Sequence, residues 1–275
     1  MTAPDSQNGP MNSRRTSPVF SPRMIRLYRS WSWVREDFAA EFDRLSEAGA
    51  FRPDGISPVI WHTRTKFVLR VPTSHGFDAA YKSYYKIRNF HQYIIRPSDC
   101  ASEASNYTML AGLGFPLPDL LAVGETRCGF VLKNSFLVSR FADDYRTGLD
   151  FFRDGVHVGN EPLFLEFCRG NLTLLARLHD LGIVHRGFTP ANLLYRKDAD
   201  GMKFLWIDVA DCRRSTISTP QVATEFFHLF RYLKTTPENR RALEAWYLDA
   251  TTIRRTNLDE LFDAVEKRIE NRMKE

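Results

Sequence analysis

The chain has 275 residues, 43% hydrophobic and 26% charged, an ordinary make-up for a globular protein with core enough for one large domain or two small lobes. Its 38 lysines and arginines against 33 aspartates and glutamates give a formal charge of +5 and an isoelectric point near 9.0, which suits a nucleotide, a phosphorylated acceptor or an anionic membrane surface. Cys100, Cys128, Cys168 and Cys212 lie far apart with no CxxC pair, which argues against a disulfide framework or zinc site and for a reducing compartment.

Residues 1–23 are rich in Ser, Pro and Asn, with too few large apolar groups to offset the entropy of ordering. They read as a disordered tail without the apolar stretch of a secretory signal. No apolar run approaches the roughly 18 residues that span a bilayer, so any membrane contact is expected to be peripheral. Over residues 24–50, Leu27, Trp31, Val34, Phe38, Phe42 and Leu45 recur at spacings of three and four, predicting a helical segment. Residues 57–62 and 66–72 are β-branched and aromatic and predict paired strands, followed by helices at 77–94 and 99–112. Ser98 or Asp99 caps the second helix and Gly112–Gly114 ends it.

Strands are expected at 119–125 and 130–141, a long helix at 161–181 stopped by Gly182, short strands at 193–196 and 204–207, and helices through 219–275. Within 81–96, aromatics alternate with bases. That stretch reads either as a grip for a phosphosugar, an anionic leaflet or RNA, or as an amphipathic helix packing on the small lobe. Phe226, Phe227, Leu229, Phe230 and Leu233 mark 221–233 as a core helix. The order predicts an α+β protein, a smaller N-terminal lobe followed by a helical C-terminal lobe, with a cleft between them.

The chemistry concentrates in His185-Arg186-Gly187-Phe188-Thr189-Pro190-Ala191-Asn192 and, downstream, Ile207-Asp208-Val209-Ala210-Asp211. A helix ends at a glycine, a polar loop leads to a strand with Asn192 at its mouth, and a second strand ends in Asp208. Oxygen ligands at adjacent strand ends are what magnesium needs against a triphosphate, so Asn192 and Asp208 are candidate metal ligands.

This segment resembles the catalytic loop H-R-D-x-x-x-x-N of protein-kinase-like enzymes and their metal-binding Asp. The spelling around Asp208 is similar to that of bacterial lipopolysaccharide core kinases of the Kdo/WaaP and InaA type. Glu103 to Pro118 resembles their αC helix and the turn after it. The resemblance implies a protein-kinase-like bilobal fold, with an N-lobe over 51–138 and a helical C-lobe over 139–275. It implies ATP and Mg2+ as cofactors, a lipopolysaccharide core sugar (heptose or Kdo) or other phosphosugar as acceptor, and no nucleic acid. The expected location is cytoplasmic, at the inner face of the inner membrane. It also implies that Glu103 pairs with a cation on strand 66–72, best matched by Arg70 with Lys66 as second choice.

Two departures stand out. Gly187 occupies the position of the catalytic Asp and has no acceptor, leaving Asp211 or His185 as candidates to receive a proton, or else a pseudokinase, a nucleotide-binding or empty scaffold that regulates a partner. No G-x-G-x-x-G precedes strand 66–72. Thr63-Arg64-Thr65 is the only turn available there, so phosphates are expected to rest on its hydroxyls, its amides or Arg64.

Overall fold

The N-terminal half of the chain pairs its strands in a single antiparallel sheet. In the computed structural model, which describes residues 20–21, 29–85, 93–94, 96–155, 159–230, 236–252 and 257–273, β1 (Trp31–Val34) leads through a 3-10 turn into α1 (Ala39–Glu47). Then come β2 (Val59–His62), β3 (Lys66–Pro72), β4 (Asp78–Tyr84), α2 (Asp99–Gly112), β5 (Leu120–Cys128) and β6 (Val131–Arg140). The six strands lie in the order β1-β5-β6-β4-β3-β2. Phe67, Leu69 and Val71 alternate inward and pack under Phe38 and Leu45 of the α1 region, while Lys66, Val68 and Arg70 take the opposite face. Trp33, Cys100, Ala104, Val123 and Leu137, joined by Phe20, form a second core between the sheet and α2.

Two expected helices are strands over part of their length. The span 24–50 is helical only from its 3-10 turn at Glu36 onward, and Trp31–Val34 is edge strand β1, paired with β5. Trp33 is buried and Ser32 exposed, a period of two that favours a ladder over a helical stripe. The helix expected at 77–94 is replaced over Asp78–Tyr84 by β4, held between β3 and β6. Ala and Lys favour helix locally, but pairing on both sides overrides that preference. Residues 86–92 of that span lie outside the described residues, as do 1–19, 22–28 and 95.

The C-terminal half begins with β7 (Arg146–Thr147) and α3 (Gly148–Arg153), then α4 (Glu161–Asp180), β8 (Ile183–His185), β9 (Leu193–Asp198), β10 (Gly201–Trp206) and β11 (Cys212–Arg214). It closes with α5 (Thr219–Phe230), α6 (Pro237–Ala250) and α7 (Leu258–Met273). Phe167, Leu172, Leu175, Leu178, Phe226 and Tyr247 belong to its core, which Tyr107 and Leu110 of α2 also enter, so α2 packs against both halves. The result is a bilobal α+β fold of the protein-kinase type, with no described helix long and apolar enough to cross a membrane.

Candidate active site

Lys82 stands on β4, near the middle of the sheet, on the face opposite the α1 core. Its neighbours Tyr81 and Ser83 turn the other way, because successive side chains of a strand alternate. Across from it, α2 starts at Ser98, whose hydroxyl accepts from the Ala101 amide at 3.1 Å, a cap that fixes where the first turn begins. One turn later Glu103 faces Lys82, and its carboxylate accepts from Nζ at 2.7 Å.

The same ammonium donates to Asp208 at 2.6 Å. Asp208 sits at the end of the β9–β10 hairpin with φ 55 and ψ 49, a left-handed conformation that aspartate tolerates better than most residues. It is the sole described non-glycine residue with positive φ. That turn swings the carboxylate out of the strand toward the sheet. Lys66, one register step along β3, brings a second ammonium to 4.0 Å from the other Asp208 oxygen.

Burial and charge compete within this cluster. Desolvation pushes Glu103 upward and Lys82 only partly offsets it, so its pKa stays raised. Burial opposes ionisation of Asp208 too, but the charge and hydrogen bond of Lys82, together with Lys66, hold its pKa below the usual carboxylate range. For Lys82 burial works against the charge and the two carboxylates win, so it remains an ammonium.

Asn106 of α2 fastens the helix to the segment after Asp208. Its side-chain amide donates to the carbonyls of Val209, Ala210 and Cys212 at 2.8, 3.1 and 2.9 Å. Asn192, just ahead of β9, donates from Nδ2 to the Gly187 carbonyl at 2.9 Å. Its backbone carbonyl accepts from Ile207, which brings the two strand ends side by side. His185 is fully buried, with both ring nitrogens unpartnered among the described residues, and burial holds it neutral against the fields of Glu225, Asp208 and Asp211. A Cβ added at Gly187 meets Asn192 Nδ2 at 3.3 Å and His185 Cε1 at 3.6 Å.

Of the residues singled out in the sequence, Asp208, Glu103 and Lys66 meet around Lys82. Arg70 does not, and the expectation that it pairs with Glu103 is overturned. Its guanidinium binds Asp78 at 2.5 Å and also Asp143, and lies over the Phe141 ring. Arg70 points along the same face of β3 but stands on the other side of Val68 from Lys66, opposite Ala80, and joins the sheet to the connection between lobes. Lys66 contacts Asp208 rather than Glu103. Asp211 closes the 3-10 turn after Asp208 and is exposed.

Sequence reasoning missed Lys82 because it assigned the segment to a helix. The small-x-Lys spelling Ala80-Tyr81-Lys82, 21 residues before Glu103, is the signal that could have found it, since it matches the V-A-I-K strand of kinases. A cavity of about 410 Å³ lies at the connection between lobes, lined by Leu117, Arg140, Phe141, Asp143, Tyr145 and Arg196. None of the clustered side chains lines it, so the chemistry and this cavity are separate places.

No family model matches the chain, and no curated protein matches it. Among solved structures it is similar to one described as WaaP in complex with acyl carrier protein, with a TM-score of 0.61 and 15% identity over 88% of this chain and 98% of that one. At that identity the likeness establishes the kinase-like fold.

Proposed function

We propose that this chain is a magnesium-dependent phosphotransferase that takes the terminal phosphoryl of ATP to a hydroxyl of a lipopolysaccharide core sugar. The observation that carries the reading is Lys82 bound at once by Glu103 of α2 and Asp208 of the other lobe. A Lys–Glu pair between sheet and helix, with a metal-binding Asp beside it, is the arrangement kinases use to hold a nucleotide's phosphates.

The residues suit magnesium. Asp208 is ionised, and Asn192 commits its Nδ2 to the Gly187 carbonyl, leaving Oδ1 as the oxygen without a hydrogen bond among the described residues. One carboxylate, one amide oxygen and the phosphates supply the hard oxygen donors that magnesium requires. Among the described residues no group of three or more His, Cys, Asp or Glu forms a ready-made metal cage, in keeping with an ion that arrives with its nucleotide. Bound MgATP supplies the transferable group. Lys82 positions it, Asp208 and Asn192 hold the metal, and Asp211 is our candidate to accept the acceptor's proton in place of the missing Asp at 187. The acceptor class and a location on the cytoplasmic face of the inner membrane follow from the resemblance of the catalytic loop.

Gly187 favours a second reading, a pseudokinase that binds nucleotide without turnover. General-base help is worth about 10²–10⁴ in rate, so its loss slows a kinase without forbidding one. Melting the protein with and without MgATP and then following labelled phosphate onto purified core oligosaccharide separates the two. Stabilisation plus transfer that Asp208→Ala abolishes supports the kinase. Stabilisation without transfer supports the pseudokinase, and no stabilisation removes both. Asp211→Asn that leaves turnover intact removes the role given to Asp211.

A further inference from the structure

A glycine-rich flap grips phosphates through free backbone amides, and the corresponding turn here has already spent its own. The Thr63 amide donates to the Lys66 carbonyl at 2.8 Å. The amides of Thr65 and Lys66 donate to the Thr63 hydroxyl at 3.4 and 3.2 Å. That hydroxyl in turn donates to the Lys66 carbonyl at 3.3 Å. Only the Arg64 amide of this turn is uncommitted among the described residues, so of the groups expected to carry the phosphates the backbone amides and the Thr63 hydroxyl are largely spent.

Immediately after the turn stands Lys66. Its ammonium lies 4.8 Å from the centre of the Trp61 ring and 5.4 Å from that of Tyr84. Such aromatic faces attract a cation and limit where a flexible lysine can point. At 4.0 Å from Asp208 the ammonium forms an ion pair but no hydrogen bond, and its donors are not used elsewhere among the described residues. Lys82, by contrast, already serves two carboxylates. The four groups Lys66, Lys82, Glu103 and Asp208 sum to zero charge. When Asp208 gives its carboxylate to a metal, Lys66 is left without an anionic partner of its own.

We propose that Lys66, steadied by Trp61 and Tyr84, binds the terminal phosphate of a nucleoside triphosphate and makes this site prefer triphosphate over diphosphate, a fixed point charge standing in for a glycine flap. The proposal rests on the phosphotransferase reading and sharpens it. It also accounts for Trp61, an edge-strand tryptophan 44% exposed yet facing the cluster.

The test is calorimetric titration of the full chain with MgATP and MgADP, for wild type, Lys66→Met and Trp61→Leu. Lys66→Met removes a charge-assisted hydrogen bond to the terminal phosphate, which weakens ATP binding by about ten- to a hundredfold while ADP binding changes less than about threefold. Trp61→Leu weakens ATP binding by about two- to fivefold, in the same direction. Melting curves without nucleotide confirm that the variants are folded, and if Lys66→Met is not, Trp61→Leu carries the comparison through the ATP-to-ADP ratio. Equal losses for ATP and ADP, or no loss for either, overturn the proposal while leaving the kinase reading standing. Wild-type protein that binds neither nucleotide overturns both.

Discussion

Replacing Lys82 by methionine isolates the contact on which the site is built. Lys82 is 12% exposed and Glu103 2%, so the substitution leaves a buried carboxylate with no counter-charge. Orphaning one partner of a buried pair costs about 3–5 kcal/mol. In a chain of this size each kcal/mol lowers the melting temperature by about 2–4 °C, so Lys82→Met should melt about 10 °C below wild type at pH 7. Asp208, a third exposed, is rehydrated and adds little. The loss should depend on pH. Glu103 already has its pKa raised by burial, and losing Lys82 raises it further. A carboxyl whose folded pKa lies above its unfolded value stabilises below the ordinary carboxylate range and loses that contribution as pH rises through the folded value. The gap to wild type should therefore be small at pH 5 and widen by pH 8. Lys82→Met/Glu103→Leu, which removes both charges, should recover most of the loss. Thermal denaturation by circular dichroism without nucleotide reads all three. If the single and double variants melt together, or the gap is the same at pH 5 and 8, the buried pair does not exist as described.

Gly187→Asp should raise phosphotransfer by about 10², because the backbone there is outside the left-handed region and the new Cβ asks only a small shift of the Asn192 amide. An unchanged rate with ATP binding intact means another group already accepts the proton. Glu244 is fully buried with both oxygens unpartnered among the described residues; burial and the nearby Glu266 push its pKa up to about 8 against Arg240 and Arg241. Its contribution to stability is present below pH about 4.3 and lost as pH rises toward 8, so Glu244→Met should flatten that decline and raise the melting temperature at pH 8, with little change at pH 4. Glu225 takes His179 on one oxygen and the His185 amide on the other, and it is 2% exposed. Glu225→Ala should cost about 3 kcal/mol by chemical denaturation, and a loss under 1 kcal/mol would show that water replaces it.

What could be read from the sequence was local. Ser98 announces the start of α2 and Gly182 the end of α4, and both helices lie where the periodicity puts them, because caps and stops act over a single turn. The loop from His185 to Asn192 and the aspartate after β10 carried the kinase resemblance through residue identity at short spacing. The unread parts depend on distant partners. β4 is a strand because β3 and β6 flank it, and within Ala79–Tyr84 only the short Ala80-Tyr81-Lys82 spelling hints at that, so the cation facing Glu103 was sought one strand too early. β1, edge strand of the same sheet, exists through β5, some ninety residues away. Likewise the Asn106 side chain bonds to backbone carbonyls about a hundred positions off, which leaves no trace in side-chain pattern.

That threefold grip of one amide has a mechanical consequence. Tilting or sliding helix α2 on the sheet strains all three bonds to the peptide units that follow Asp208, so the helix and that turn are mechanically tied.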